Sequence, residues 1–159
     1  MNTSNETPKA RKKKTASALK FALVLIFSIF IAGYLATVFE RTSGLLIRTP
    51  KATLSALVAD TEVLREKGLS GRDSLCSNQA MLFVFDSDSM PGFWMKDMKF
   101  QIDIIWLDSN KRVVTIKSNA DPAKYPEVYY PELDSRYVVE ISSGLIKRLG
   151  IGVGTVLSW

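Results

Sequence analysis

Ile102-Asp-Ile-Ile-Trp-Leu107, Asp108-Ser-Asn-Lys111 and Arg112-Val-Val-Thr-Ile-Lys117 follow one another without a break. The outer segments are rich in β-branched and aromatic residues, and the four residues between them are turn formers. The stretch therefore predicts a β-hairpin. Outward from it lie further short β-type runs: Leu54–Ala59, Met81-Leu-Phe-Val-Phe85, Phe93-Trp-Met95, Tyr137-Val-Val-Glu-Ile141 and Thr155-Val-Leu-Ser158. Met81–Phe85 is apolar throughout, which predicts burial on both faces. Two short helices are signalled. Asp60 can cap Thr61–Lys67 ahead of Gly68, and Ser142 or Ser143 can cap Gly144–Leu149 ahead of Gly150. This pattern predicts a mainly β domain over residues 54–159, sandwich or barrel-like, with two short helices. The stretch from Asn119 to Asp134, with Pro122, Pro126 and Pro131, is expected to be a long loop.

Before the domain, Phe21 to Phe39 runs without a charge, bounded by Lys20 and by Glu40-Arg41. As a helix it would be roughly 28 Å long, close to the thickness of a bilayer core of about 30 Å. It predicts one transmembrane helix over residues 21–39, joined to the domain by a linker, residues 40–53. Residues 1–20, with the basic cluster Lys9 to Lys14, are expected to be a cytoplasmic tail, which places the domain outside the cytoplasm. A cleaved signal peptide is the rival reading. Its apolar region is usually shorter, and cleavage after Ala36 would put Tyr34 where a small residue belongs.

The chain has 159 residues and a net charge of +5. Six basic residues and one acid among residues 1–39 account for all of that charge, and residues 40–159 hold fifteen of each sign. A neutral domain has no general attraction for nucleic acid. Cys76 is the single cysteine and there is no histidine, so Ser-His-Asp and Cys-His catalysis are excluded within the chain. No cofactor or metal is expected. Asp86-Ser-Asp88 lacks the glycine and distant glutamate of a calcium loop, and Gly150-Ile-Gly-Val-Gly154 follows a helix, unlike a phosphate loop.

Ala59-Asp-Thr61, Gly68-Leu-Ser-Gly-Arg72, Met81–Phe85, Phe93-Trp-Met-Lys96, Asp103-Ile-Ile-Trp-Leu-Asp108, Tyr137-Val-Val-Glu140, Gly144, and Gly150 with Gly154 occur in a characteristic order. With that order and spacing, residues 54–159 resemble the family known as domain of unknown function 192. The resemblance implies a mostly β fold of sandwich type and frequent export or membrane anchoring. It implies no established activity. The chain departs from the family pattern at Ala80, where glycine is usual, and at Asp97-Met98, where Asn-Thr is usual.

Several residues are candidates for a site. Asp103 interrupts an apolar strand on the face of Ile105 and Leu107, so its carboxylate needs a partner. Arg72 and Lys96 are the expected cations, either in a structural ion pair or around a polar ligand. Phe93 and Met95 alternate with Trp94 and Lys96, so one pair should face the core and the other could wall a site. Tyr125, Tyr129 and Tyr130 suit either a binding rim or a loop stapled down by its own aromatics. Glu140 faces away from Tyr137, Val139 and Ile141, and with Asp103 or Asp97 it would make a two-carboxylate site of the glycosidase kind. The reading these residues favour is a membrane-anchored, non-enzymatic module of the cell envelope that binds a ligand or partner. Its expected partners are the lipid bilayer, through residues 21–39, and an envelope ligand or protein. An envelope glycan hydrolase using a carboxylate pair, and an accessory subunit of a membrane complex, are the alternatives.

Overall fold

The structure, a computed structural model, describes residues 24–28 and 44–159. Residues 24–28 are helical, and the Ser28 hydroxyl donates to the Leu25 carbonyl at 2.8 Å. The rest of the expected membrane helix 21–39 lies outside the described residues, as do the tail 1–20 and residues 40–43 of the linker. Among the described residues no helix is long and apolar enough to cross a membrane.

Residues 44–159 make a unit of their own. Its first strand, β1 (Leu45–Arg48), falls in what the sequence reads as linker, and β2 (Thr53–Ala59) returns beside it. Helix α1 (Glu62–Lys67) follows, and Thr61 rather than Asp60 caps it, its hydroxyl accepting from the Leu64 amide. Gly68 ends that helix at a positive φ of 47°, which suits a residue without a Cβ. The chain continues through β3 (Gln79–Ser89), β4 (Phe93–Trp94) and the hairpin β5 (Ile102–Leu107) and β6 (Val113–Ala120). The expected loop then contains a 3₁₀ turn at Pro122–Lys124 and a short strand, β7 (Val128–Tyr129). Last come β8 (Ser135–Ser142) and α2 (Ile146–Leu149), which starts later than the sequence suggests and has no side-chain cap.

Six strands form one mixed sheet in the order β1-β2-β3-β8-β5-β6, while β4 and β7 pair separately. Only β2 and β3 are parallel, and α1 lies in the crossover that a parallel pair requires. The C-terminal run near Thr155–Ser158 forms bridges rather than a full strand. Val156 pairs with Arg112 at the start of the β6 side, and Ser158 pairs with Arg48 of β1. Both outer strands are thus tied to the same chain end. The architecture is one large mixed sheet with a two-stranded flap and three short helices, instead of a sandwich of two large sheets.

The core explains this arrangement. All six residues of β5 are buried, and they alternate between two apolar clusters on opposite faces of the sheet. Ile105 and Leu107 join Leu82, Val139, Ile141, Leu149 and Leu157 on the first face. Ile102, Ile104 and Trp106 join Phe83, Phe93, Met95 and Val138 on the second. Each fully buried side chain of this kind contributes about 1.5–3 kcal/mol. On the second face Phe83, Phe93 and Trp106 stack edge to face, with ring centres 4.8 Å and 5.9 Å apart. The Trp106 indole N–H donates to the Pro91 carbonyl at 3.0 Å, which fixes the chain entering β4.

Candidate ligand-binding cavity

Glu140 lies mid-strand in β8, in register with Met81 of β3 and Ile104 of β5. Residues in register share a face, so its side chain enters the second cluster between two apolar neighbours. It is only 4% exposed, and its Oε2 has no hydrogen-bond partner. Burial without compensation pushes the Glu140 carboxyl up to about 8, so at neutral pH it is a carboxylic acid.

Glu140 forms part of the lining of a cavity of about 290 Å³. One side is α1 and the turn after it, from Glu62 and Arg65 to Leu69 and Ser70. The opposite side is the segment from Pro91 to Trp94, with Met98 beside it, and β3 supplies Phe83 and Phe85. These walls are held from behind. The Arg65 guanidinium donates to the carbonyls of Asp60 and Val84, at 2.9 Å and 2.7 Å, and stands 5.2 Å from the Phe85 ring centre. The Ser70 hydroxyl donates to the Lys96 carbonyl and the Gly71 amide to the Asp97 carbonyl, which ties the turn after α1 to the loop that carries Met98. Asp97 adopts a φ of 56°, a left-handed conformation that Asn and Asp tolerate, so the departure from Asn there keeps the turn. The departure at Met98 instead puts a thioether in the cavity wall.

The other sequence candidates divide sharply. Trp94 lines the cavity and is 47% exposed, while Phe93 and Met95 are buried, as the alternation requires. Lys96 and Arg72 are exposed and lie outside the cavity lining. Neither pairs with Asp103. Asp103 is 1% exposed and sits on the other face of the sheet, in register with Ile141. Its two oxygens accept backbone amides, Oδ1 from Asn119 at 2.9 Å and Oδ2 from Gly144 at 3.0 Å. The register between β5 and β6 shifts there, and Asn119 takes a φ of 53°. The expected ion pair to Arg72 or Lys96 is therefore replaced by two charge-assisted bonds that close a bulge. Because Asp103 and Glu140 point to opposite faces, the glycosidase-like pair they were expected to form does not assemble.

Tyr129 is buried, with the Lys117 ammonium 4.6 Å from its ring centre, and it pairs with Phe93. Tyr130 is exposed, but its ring lies against Gly92 so closely that a Cβ there would come within 2.7 Å of it. The loop is thus held by β7 through Tyr129 and by Tyr130 against Gly92, next to the cavity wall rather than within it, while Tyr125 is exposed. Arg65, Phe85 and Gly92 carry no sign in the sequence that they belong to a site, and Met98 is marked only by its departure from the family pattern. Each looks like an ordinary helix, strand or turn residue, and only the packing of α1 across β3 brings them around Glu140.

A mixed β-sheet domain with an aromatic-walled cavity over a buried acid is the class that fold and site define. The chain belongs to the domain of unknown function 192 family, whose model, described as "Uncharacterized ACR", matches residues 37–159. A UPF0127 protein of Thermococcus gammatolerans is 36% identical over 104 residues, which is 64% of this chain and 64% of that protein. A UPF0127 protein of Thermococcus kodakarensis is 35% identical over 104 residues, covering 64% and 62%. The match thus spans just under two thirds of these relatives. A crystal structure of a protein of unknown function from Novosphingobium aromaticivorans is similar at 28% identity and a TM-score of 0.66, covering 72% of this chain and 82% of that one.

Proposed function

We propose that this protein is a membrane-anchored ligand-binding module of the cell envelope, with its domain outside the cytoplasm and the Glu140 cavity as its binding site. The observation that carries the binding reading is that Glu140, whose buried Oε2 has no hydrogen-bond partner, lines a preformed cavity with an aromatic wall. Natural cores rarely keep a buried polar atom unsatisfied, and where they do a ligand or a chemical role commonly completes it. The domain's own lack of net charge and histidine weighs against nucleic acid and against histidine-based catalysis. The anchor reading rests on the charge-free run 21–39 and the basic residues before it.

Both parts are testable on the full-length chain. Thermal-shift screening in detergent micelles should find small molecules that raise the melting temperature, since ligand at a hundred times its Kd adds about 2.7 kcal/mol. Trp94→Ala should weaken those shifts, and shifts untouched by it would reject the cavity as the site. Carbonate-washed membranes should retain the protein. Cys76 is exposed, so an impermeant thiol reagent should label it without rupture of the inner bilayer. A soluble mature form beginning near Thr37 would reject the anchor.

A further inference from the structure

We propose that the cavity takes a small alkylammonium ion, its ammonium head paired with the Glu140 carboxylate and its chain lying along the aromatic wall of β3 and β4. This rests on the reading of the cavity as a ligand site and narrows it to a chemical class. Glu140 is the only acid at the sheet side of the cavity, and no lysine or arginine pairs with it among the described residues. The charged groups that face it all come from α1: Glu62, Arg65, Glu66 and Lys67. Their charges cancel, and Arg65 is already committed to two backbone carbonyls. Among the described residues no titratable group of the other elements lines the cavity. β3 supplies Phe83 and Phe85, the β4 segment supplies Pro91 to Trp94, β5 supplies Ile104 in register with Glu140, and the rest of the wall is Gly68 to Ser70 and Met98.

An anion is repelled once Glu140 ionises, whereas a cation stabilises the ionised form. A primary ammonium can donate to the carboxylate of Glu140, which lines the cavity and has one oxygen, Oε2, without a partner. The carboxyl, kept protonated by burial while the cavity lacks a cation, gives up its proton when a cation arrives. The volume of about 290 Å³ is at the small end for ligand sites and suits a short chain.

The test is calorimetry on the full-length protein in micelles with three isosteric probes: n-pentylammonium, n-pentanol and pentanoate. Glu140 must lose its proton before it can pair, whereas an alkylammonium stays charged to about pH 10. The affinity for n-pentylammonium should therefore rise about tenfold per pH unit up to about pH 8, then level. Near pH 7 about one proton should be released per ligand bound, read from two buffers of different ionisation enthalpy. Glu140→Gln, checked for native circular dichroism, should lose the pH dependence and most of the affinity. An affinity independent of pH, or unchanged in Glu140→Gln, would overturn the ammonium assignment. If pentanol binds and Trp94→Ala weakens it while the ammonium does not bind, the ligand class fails and the cavity reading stands. If none of the three probes binds, both fail.

Discussion

Two carboxylates sit in neighbouring strands of one sheet, both buried, and they have opposite fates. Asp103 points to the face of Ile105 and Ile141, where the amides of Asn119 and Gly144 satisfy both its oxygens. Glu140 points to the face of Phe83 and Trp106, where its Oε2 has no partner and burial raises its pKa to about 8. A buried carboxyl is kept either because local backbone completes it or because something outside the fold does. The first face is closed and structural. The second is open at the cavity, and the chain retains there an acid that costs it stability.

The largest test of this contrast is the dependence of stability on pH. Glu140 has a folded pKa of about 8 against 4.5 when unburied, so the native state holds a proton that the unfolded state has lost between those values. The unfolded state binds fewer protons in that window. Stability should therefore fall as pH rises from about 4.5 to about 8, by up to roughly 1.4 kcal/mol per pH unit, and then level. Urea unfolding of wild type and Glu140→Gln across that window should show the slope in the first and its loss in the second. A wild-type slope no steeper than that of the variant would break the contrast from the Glu140 side.

A smaller effect is expected at Asp103. Asparagine keeps one acceptor and presents an amide where the carboxylate received the second N–H. Asp103→Asn should cost about 2–3 kcal/mol, the expected loss for a hydrogen bond to a charged acceptor with a buried donor left unpaired. The melting temperature should drop by roughly 5–10 °C. Unaltered unfolding would mean that the amides of Asn119 and Gly144 do not depend on the carboxylate. The smallest effect belongs to Trp94→Ala. Its ring is half-exposed at the cavity wall, so stability should change by no more than about 1 kcal/mol. A large loss would make Trp94 a core residue rather than a wall kept for a ligand.

The strands were legible because their side-chain pattern is local. Ile102–Leu107 and the turn after it predict the observed hairpin, and Met81–Phe85 lies within a central strand. The alternation of Phe93 and Met95 against Trp94 and Lys96 likewise predicts which pair is buried. Strand β7 was hidden because Val128 and Tyr129 sit among prolines and pair only with β4, a partner of two residues. Strand β1 was hidden because its position beside β2 reads as linker. At Asp103 the sequence showed a carboxylate in need of a partner and suggested long cations. The partners are backbone amides, which carry no residue-type signal at all.

The sequence by itself determined the periodicity of the strands that carry Asp103 and Glu140, hence the side of its own strand on which each carboxyl lies, and the family to which the chain belongs. It also determined where the net charge resides, all of it before the domain. Only the tertiary structure decided that Asp103 and Glu140 face opposite ways. Facing is a property of the register between β5 and β8, and a shift of one residue would put both on the same face. The cavity was decided at the same level. It exists because α1, closed at Gly68 beside Phe83, forms one side of a space that Glu140 lines from the sheet. That juxtaposition depends on long-range packing, which no local pattern encodes.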